Sequence, residues 1–172
     1  MIRKALEADI PAVVSIYDKI HTEEENGRAA IGWIRGVYPT EDTARMALDR
    51  DDLFVQEDSG KIVGAAIINK TQVDAYEGGQ WQYEAEAAEV MVLHTLVIDP
   101  DTAGRGFGKQ FVAFYEDYAR KIGCKVLRMD TNRRNARARA MYQALGYREV
   151  GIVPCVFNGI EGVELVLLEK SL

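Results

Sequence analysis

Residues Val92–Gly108, VLHTLVIDPDTAGRGFG, constrain the fold more than any other stretch of this chain. An apolar, strand-like run ends at Asp99-Pro100, a glycine-rich loop follows, and Lys109-Gln110-Phe111-Val112-Ala113-Phe114-Tyr115 continues with helical periodicity. A strand feeding a glycine loop at a helix N-terminus gathers unpaired N–H groups and the positive end of the helix dipole at one spot, which suits an anion. Gly106 and Gly108 lack a Cβ, so the backbone there can approach a pyrophosphate or take a positive φ. Gly104, Gly106 and Gly108 equally suit a plain turn, and the loop by itself leaves both readings open. It is not the phosphate loop of nucleotide hydrolases, because Gly108-Lys109 is followed by Gln110 instead of Ser or Thr. Its GxGxG spacing, past the middle of the chain, also departs from the GxGxxG that follows the first strand of dinucleotide folds.

A chain of 172 residues is the size of one domain, taken as residues 1–172, and is long enough to bury a good core. No apolar run approaches the roughly 20 residues of a membrane span, and the charged N-terminus, MIRKALEADIP, is unlike a signal peptide. Cys124 and Cys155 lack metal-ligand spacing and the chain has two His, so no metal is expected. These features point to a reduced, cytoplasmic protein with no membrane contact. Charge is segregated along the chain. Residues 1–100 carry 9 Lys and Arg against 19 Asp and Glu, whereas residues 101–140 carry 10 against 4. A basic block on an acidic chain suits a small polyanionic ligand and disfavours general nucleic-acid binding. The same block also reads as the solvated face of a helix bearing Arg133, Arg134, Arg137 and Arg139.

Ile2–Leu6 reads as a short strand, and Asp9-Ile10-Pro11 as a helix start with Asp9 at the N-cap. Val13, Val14, Ile16, Tyr17 and Ile20 give that helix a buried stripe, and the acidic stretch from His21 to Gly32 reads as a loop or a frayed end. Thr40 opens a second helix. Residues 52–57 and 61–69 form two strands about Asp58-Ser59-Gly60, a hairpin turn. A strand over 89–98 leads into the glycine loop, and the helix after it closes at Gly123. A strand over 125–130, a helix from Asn135 to Leu145, and two strands around Asn158-Gly159 complete the chain. That order predicts an α/β protein with a mixed sheet and helices on both faces.

Two separated motifs resemble those of the GNAT superfamily of acetyl-CoA-dependent N-acetyltransferases. Ala103-Gly104-Arg105-Gly106-Phe107-Gly108 is similar to its Gln/Arg-x-x-Gly-x-Gly/Ala loop, with Ala103 where the family usually carries Gln or Arg. Asn135, Ala138, Met141, Tyr142, Gly146 and Tyr147 match Asn-x-x-Ala-x-x-Leu-Tyr-x-x-x-Gly-Phe, and the order of elements is also the family's. The resemblance implies a largely antiparallel sheet of about six to seven strands, flanked by about four helices, in which two parallel strands near 90–98 and 125–131 splay apart. It implies acetyl-CoA in that gap, its arm along the main chain of Leu96, Val97 and Ile98. Its pyrophosphate would rest on Gly104, Arg105, Gly106, Phe107, Gly108 and Lys109, with Asn135 on the other side.

Acetyl transfer to an amine needs a neutral nucleophile, a stabilised oxyanion and a proton for the departing sulfur. An alkyl amine titrates near about 10.4, so it arrives charged and must lose a proton. By resemblance Tyr142 is the acid; by position alone it reads as a core aromatic beside Ala138, Met141 and Leu145. The strand glutamate that the superfamily often uses falls near Val92 here, which cannot act as a base. His94-Thr95-Leu96-Val97-Ile98 instead resembles arylalkylamine N-acetyltransferases, which makes His94 either a base acting through water or a packed side chain. Trp33, Tyr38, Tyr76 and Trp81 are large rings outside the regular elements, and they read as an acceptor pocket or as loop packing. The acidic first hundred residues favour a small cationic amine as acceptor. A protein N-terminus or lysine, or an acyl-CoA sensor without turnover, are the alternatives, and a homodimer through the terminal strands is an open expectation.

Overall fold

The computed structural model describes all 172 residues. Seven strands form one sheet: β1 (Ile2–Lys4), β2 (Leu53–Asp58), β3 (Lys61–Asn69), β4 (Val90–Ile98), β5 (Val126–Asn132), β6 (Arg148–Phe157) and β7 (Ile160–Ser171). Their spatial order is β1-β2-β3-β4-β5-β7-β6, and every pairing is antiparallel except β4 with β5. Four α-helices flank the sheet: α1 (Ile10–Glu25), α2 (Glu41–Asp49), α3 (Phe107–Lys121) and α4 (Ala136–Ala144). The order of elements and the mixed sheet are those expected from the sequence.

Hydrophobic periodicity assigns each helix to its layer. Val13, Ile16 and Tyr17 of α1 and Ala44 and Ala47 of α2 pack with Val55, Ala65 and Val97 on one face of the sheet. Phe111, Val112 and Tyr115 of α3 join Tyr142 of α4 over Met91, Leu127 and Met129 on the other. Both hairpins turn where the sequence marks them. Ser59 and Gly60 have φ of 50° and 76°, and Asn158 and Gly159 have 46° and 86°, the paired left-handed residues of a type I′ turn.

Two local details differ from expectation. Asp9 stands at the N-cap of α1 as expected, but its side chain makes no cap hydrogen bond; it closes a short turn ahead of the helix, accepting the Leu6 N–H at 2.8 Å and Arg3 at 2.7 Å. The strong Arg3 pairing holds its carboxylate below its usual range. The stretch after Ile20 also stays helical as far as Glu25, because His21 lies one turn beyond Tyr17 and is buried with it. Glu24 then accepts the N–H groups of Ile31 and Gly32 at 2.7 and 3.0 Å, which pins the connection to α2.

The parallel pair decides where a ligand can enter. Its register runs only from Val90↔Val126 to Leu93↔Met129. The Tyr115 hydroxyl sits between the carbonyls of Met91 and Arg128, at 2.7 and 3.1 Å, and ties the strands together at that paired end. Past Leu93 the ladder to β5 stops. On its other side β4 bulges against β3, where three steps from His94 to Val97 face two from Ile67 to Ala65. Thr95 carries the bulge at φ 50°, a strained position for a β-branched residue. The two strands therefore part from His94 onward.

Candidate active site

The glycine loop is positioned from both sides. Asp99 accepts the Asp101 N–H at 3.0 Å and pairs with Lys19 of α1 at 2.8 Å, so the strand end is anchored before the chain turns. Gly104 and Gly106 have φ of 83° and 80°, and a Cβ at either would project into open space. None of the N–H groups from Gly104 to Lys109 has a hydrogen-bond partner, and Gly106 stands at the N-cap of α3. Consecutive free N–H groups at the head of a helix are an anion cradle. A Cβ on Gly108 would come within 3.3 Å of Met141 Sδ, so that glycine also lets α3 approach α4. Arg105 is exposed, paired with Asp58 at 2.9 Å and stacked over Phe107, whereas Lys109 is exposed and has no ion pair.

The gap between β4 and β5 opens into a cavity of about 780 Å³. Trp33, Tyr38, His94, Leu96, Asn135 and Tyr142 all line it, so the structure brings these six expected residues together. Val97 points elsewhere: it pairs with Ala65, and its side chain is buried under α1. Asp99 N–H donates to Val63, and ladder alternation then turns the main chain of Val97 towards β3 and those of Leu96 and Ile98 towards the gap. Asn135 caps α4 by accepting the Ala138 N–H at 3.1 Å, which leaves its amide N–H₂ free at the cavity wall.

Tyr142 is buried, its ring edge-on to Tyr147, and its hydroxyl has no partner in the protein. Burial, with the Asp130 carboxylate as a lesser cause, raises this phenol well above its ordinary range, so it holds its proton at neutral pH.

His94 is the end of a hydrogen-bond chain. Arg50 donates to Asp52, Asn69 Nδ2 donates to Asp52 at 2.9 Å, and Asn69 Oδ1 accepts from Thr71 N–H at 2.9 Å. Both neighbours fix the Asn69 amide with its oxygen towards His94 Nε2, also at 2.9 Å. Nε2 is then the protonated nitrogen and Nδ1 carries the lone pair. Burial lowers the imidazole to about 4, so it is neutral at physiological pH.

Tyr76 and Trp81 do not reach the cavity wall. Tyr76 is buried in a separate cluster with Val90 and Val126, and Trp81 packs against it with its Nε1–H on the Tyr76 carbonyl at 2.8 Å. A glycine-broken loop shows that rings gather but not which side they face. Three wall residues were not anticipated from the sequence. Phe157 joins Tyr38 and Trp33 in an edge-on series with centroids 5.3 and 5.9 Å apart. Thr95 hydrogen-bonds the Tyr38 hydroxyl. Asp130, at the end of the VLRMD strand, faces the cavity and accepts the Tyr76 hydroxyl at 2.7 Å. Its burial raises the carboxyl to about 6, the phenol bond acting in the opposite direction.

A model of the acetyltransferase (GNAT) family matches residues 14–147. The chain belongs to the GNAT acetyltransferase family. An uncharacterized N-acetyltransferase of Methanocaldococcus jannaschii is 31% identical over 108 residues, which are 63% of this chain and 44% of that protein; the chain thus spans less than half of that relative's length. A GNAT-family acetyltransferase from Streptococcus agalactiae has the same fold, with a TM-score of 0.82 at 19% identity over 100% of this chain and 95% of its own. A putative acetyltransferase from Salmonella typhimurium, solved with its cofactor acetyl-CoA, aligns at a TM-score of 0.70 and 20% identity over 99% and 92% of the two chains. GNAT enzymes are acyltransferases that use acetyl-CoA. The residues here fit that cofactor: the unpaired N–H groups from Gly104 to Lys109 suit its diphosphate, and the parted strands leave main-chain groups open beside them. No helix is long and apolar enough to cross a membrane.

Proposed function

We propose that this GNAT domain acetylates a small primary amine that enters the site as a cation. The observation that carries the reading is the charge of the cavity wall. Its charged side chains are Asp42, Arg50 and Asp130, and Arg50 is already paired with Asp52 at 2.9 Å. What remains is anionic, beside the rings of Trp33, Tyr38 and Phe157, a setting that favours an ammonium on an apolar body.

Acetyl-CoA, when bound, supplies an acetyl thioester as the electrophile. The free N–H groups of Gly104 to Lys109 would hold its diphosphate, and the main chains of Leu96 and Ile98 would hold its arm. Tyr142, protonated and with an unengaged hydroxyl, is the donor to the departing sulfur. His94 offers the Nδ1 lone pair towards the amine, with Asn69 fixing the tautomer. Its low basicity suits relay through a water molecule better than full protonation.

The test is release of free CoA thiol against a panel of primary amines, neutral alcohols, carboxylates and lysine-bearing peptides. The expected result is turnover confined to small amines, above all those with an aromatic or branched body. Faster turnover with peptides would move the acceptor to a protein, and cofactor binding without thiol release under any acceptor would make the domain a sensor.

A further inference from the structure

Asp130 contributes to the negative charge of the cavity wall but has no step in the chemistry so far, and its surroundings are unusual. It lies one residue past Met129, the last position of β5 that pairs with β4, and so stands at the point where the strands part. Oδ2 accepts the Tyr76 hydroxyl at 2.7 Å, Oδ1 has no partner, and no Lys, Arg or His comes within salt-bridge range. The support comes from behind. Tyr76 is 3% exposed, Trp81 packs on it, and Arg128 lies 4.1 Å over the Trp81 ring. A half-buried carboxylate with one neutral donor lacks the countercharge that such groups ordinarily find.

Proton accounting points the same way. An alkylammonium must shed two protons to become an amide nitrogen that keeps one. Tyr142 gives one proton to the sulfur and has to recover it. One path can run from the nitrogen through water and His94 Nδ1, but the first proton needs an anionic acceptor beside the amine.

Resting on the amine-acetylating reading above, we propose that Asp130 is the group that receives the acceptor's ammonium and takes the first of its two protons. The ammonium and carboxylate become a neutral amine and a carboxylic acid. The nitrogen lone pair then forms the N–C bond as the C–S bond breaks, and the sulfur takes the Tyr142 proton. The second nitrogen proton returns to Tyr142, and Asp130 gives its own to solvent, so one proton is released per turnover.

The titratable groups that face Asp130 are Tyr76, Tyr38 and Tyr142, together with Cys155 of β6, and burial raises every one of them. None changes charge between pH 5 and 8, so an acidic limb in that window belongs to Asp130. Because the Tyr76 hydroxyl stabilises the anion, Tyr76→Phe keeps the carboxylate and raises its pKa.

The experiment measures kcat/KM against pH with the best amine of the panel, for wild type, Asp130→Asn and Tyr76→Phe. In parallel, ¹³C NMR follows the Asp130 carboxyl of the unliganded protein, and calorimetry compares 2-phenylethylamine with 2-phenylethanol. Wild type is expected to lose activity below about pH 6, Tyr76→Phe to lose it at higher pH, and Asp130→Asn to lack the limb with kcat/KM down about 10²–10³-fold. Asp130→Asn should weaken the amine tenfold or more and leave the alcohol unchanged. A wild-type profile in Asp130→Asn, or a Tyr76→Phe limb that stays put while the NMR titration moves, overturns the proposal. If wild type acetylates no amine, the functional reading fails instead, whereas equal loss of amine and alcohol in Asp130→Asn defeats the ammonium site itself.

Discussion

Replacing Asp130 by Asn should make the protein more stable at pH 7. A carboxyl in water titrates near about 3.9, and burial lifts this one to about 6. The folded state therefore binds its proton more tightly than the unfolded state. Above pH 6 both states carry the charge and the folded one bears the full desolvation penalty; as pH falls from 6 towards 4, protonation removes it. A shift of roughly two units corresponds to about 3 kcal/mol at 1.36 kcal/mol each. Asn is isosteric, and its oxygen still accepts the Tyr76 hydroxyl, so the one hydrogen bond survives. The unmet amide N–H₂ takes back part of the gain, leaving about 2 kcal/mol, or about 4–8 °C in Tm for a chain this size. Thermal unfolding of wild type and variant at pH 7.5 and 4.5 checks this. The variant's advantage should be present at 7.5 and gone at 4.5. An Asn variant that melts lower at 7.5, or whose advantage is the same at both pH values, would refute the idea that this carboxylate is held charged at a cost.

Tyr142→Phe should lower kcat about 10²–10³-fold with stability within about 0.5 kcal/mol of wild type, because the lost hydroxyl has no partner and the ring contact with Tyr147 remains; thiol release and a melting curve measure both. Gly106→Ala forces a side chain into φ 80° at about 1–2 kcal/mol and puts a methyl in the open space of the cradle, so calorimetry should find CoA bound about tenfold more weakly. His94→Ala should reduce kcat/KM about 10–100-fold without moving the limb near pH 6, since burial places the imidazole near 4; a displaced limb would reassign that titration to His94.

Features written in short sequence spans were legible in the sequence. The glycine loop, Asn135 and Tyr142 are such cases, because strand, loop and helix follow one another directly and a motif of a dozen residues fixes their relation. Asp130 was not. As the last residue of VLRMD it reads as an ordinary polar strand end, and its meaning depends on β4 leaving β5 at that level, a long-range event set by the bulge at Thr95. Tyr76 and Trp81 fail for the complementary reason: the sequence shows large rings near glycines, but their direction is decided by Arg128 and Asp130, some fifty residues away. Phe157 alternates along an edge strand whose partner face only the sheet order reveals.

The bulge at Thr95 has one more consequence. Since backbone geometry holds the strands ajar, the slot stands ready before a guest arrives, and what it offers there is main chain. Any discrimination must then be exercised further in, among the side chains that line the cavity, Tyr38, Thr95 and Phe157 included.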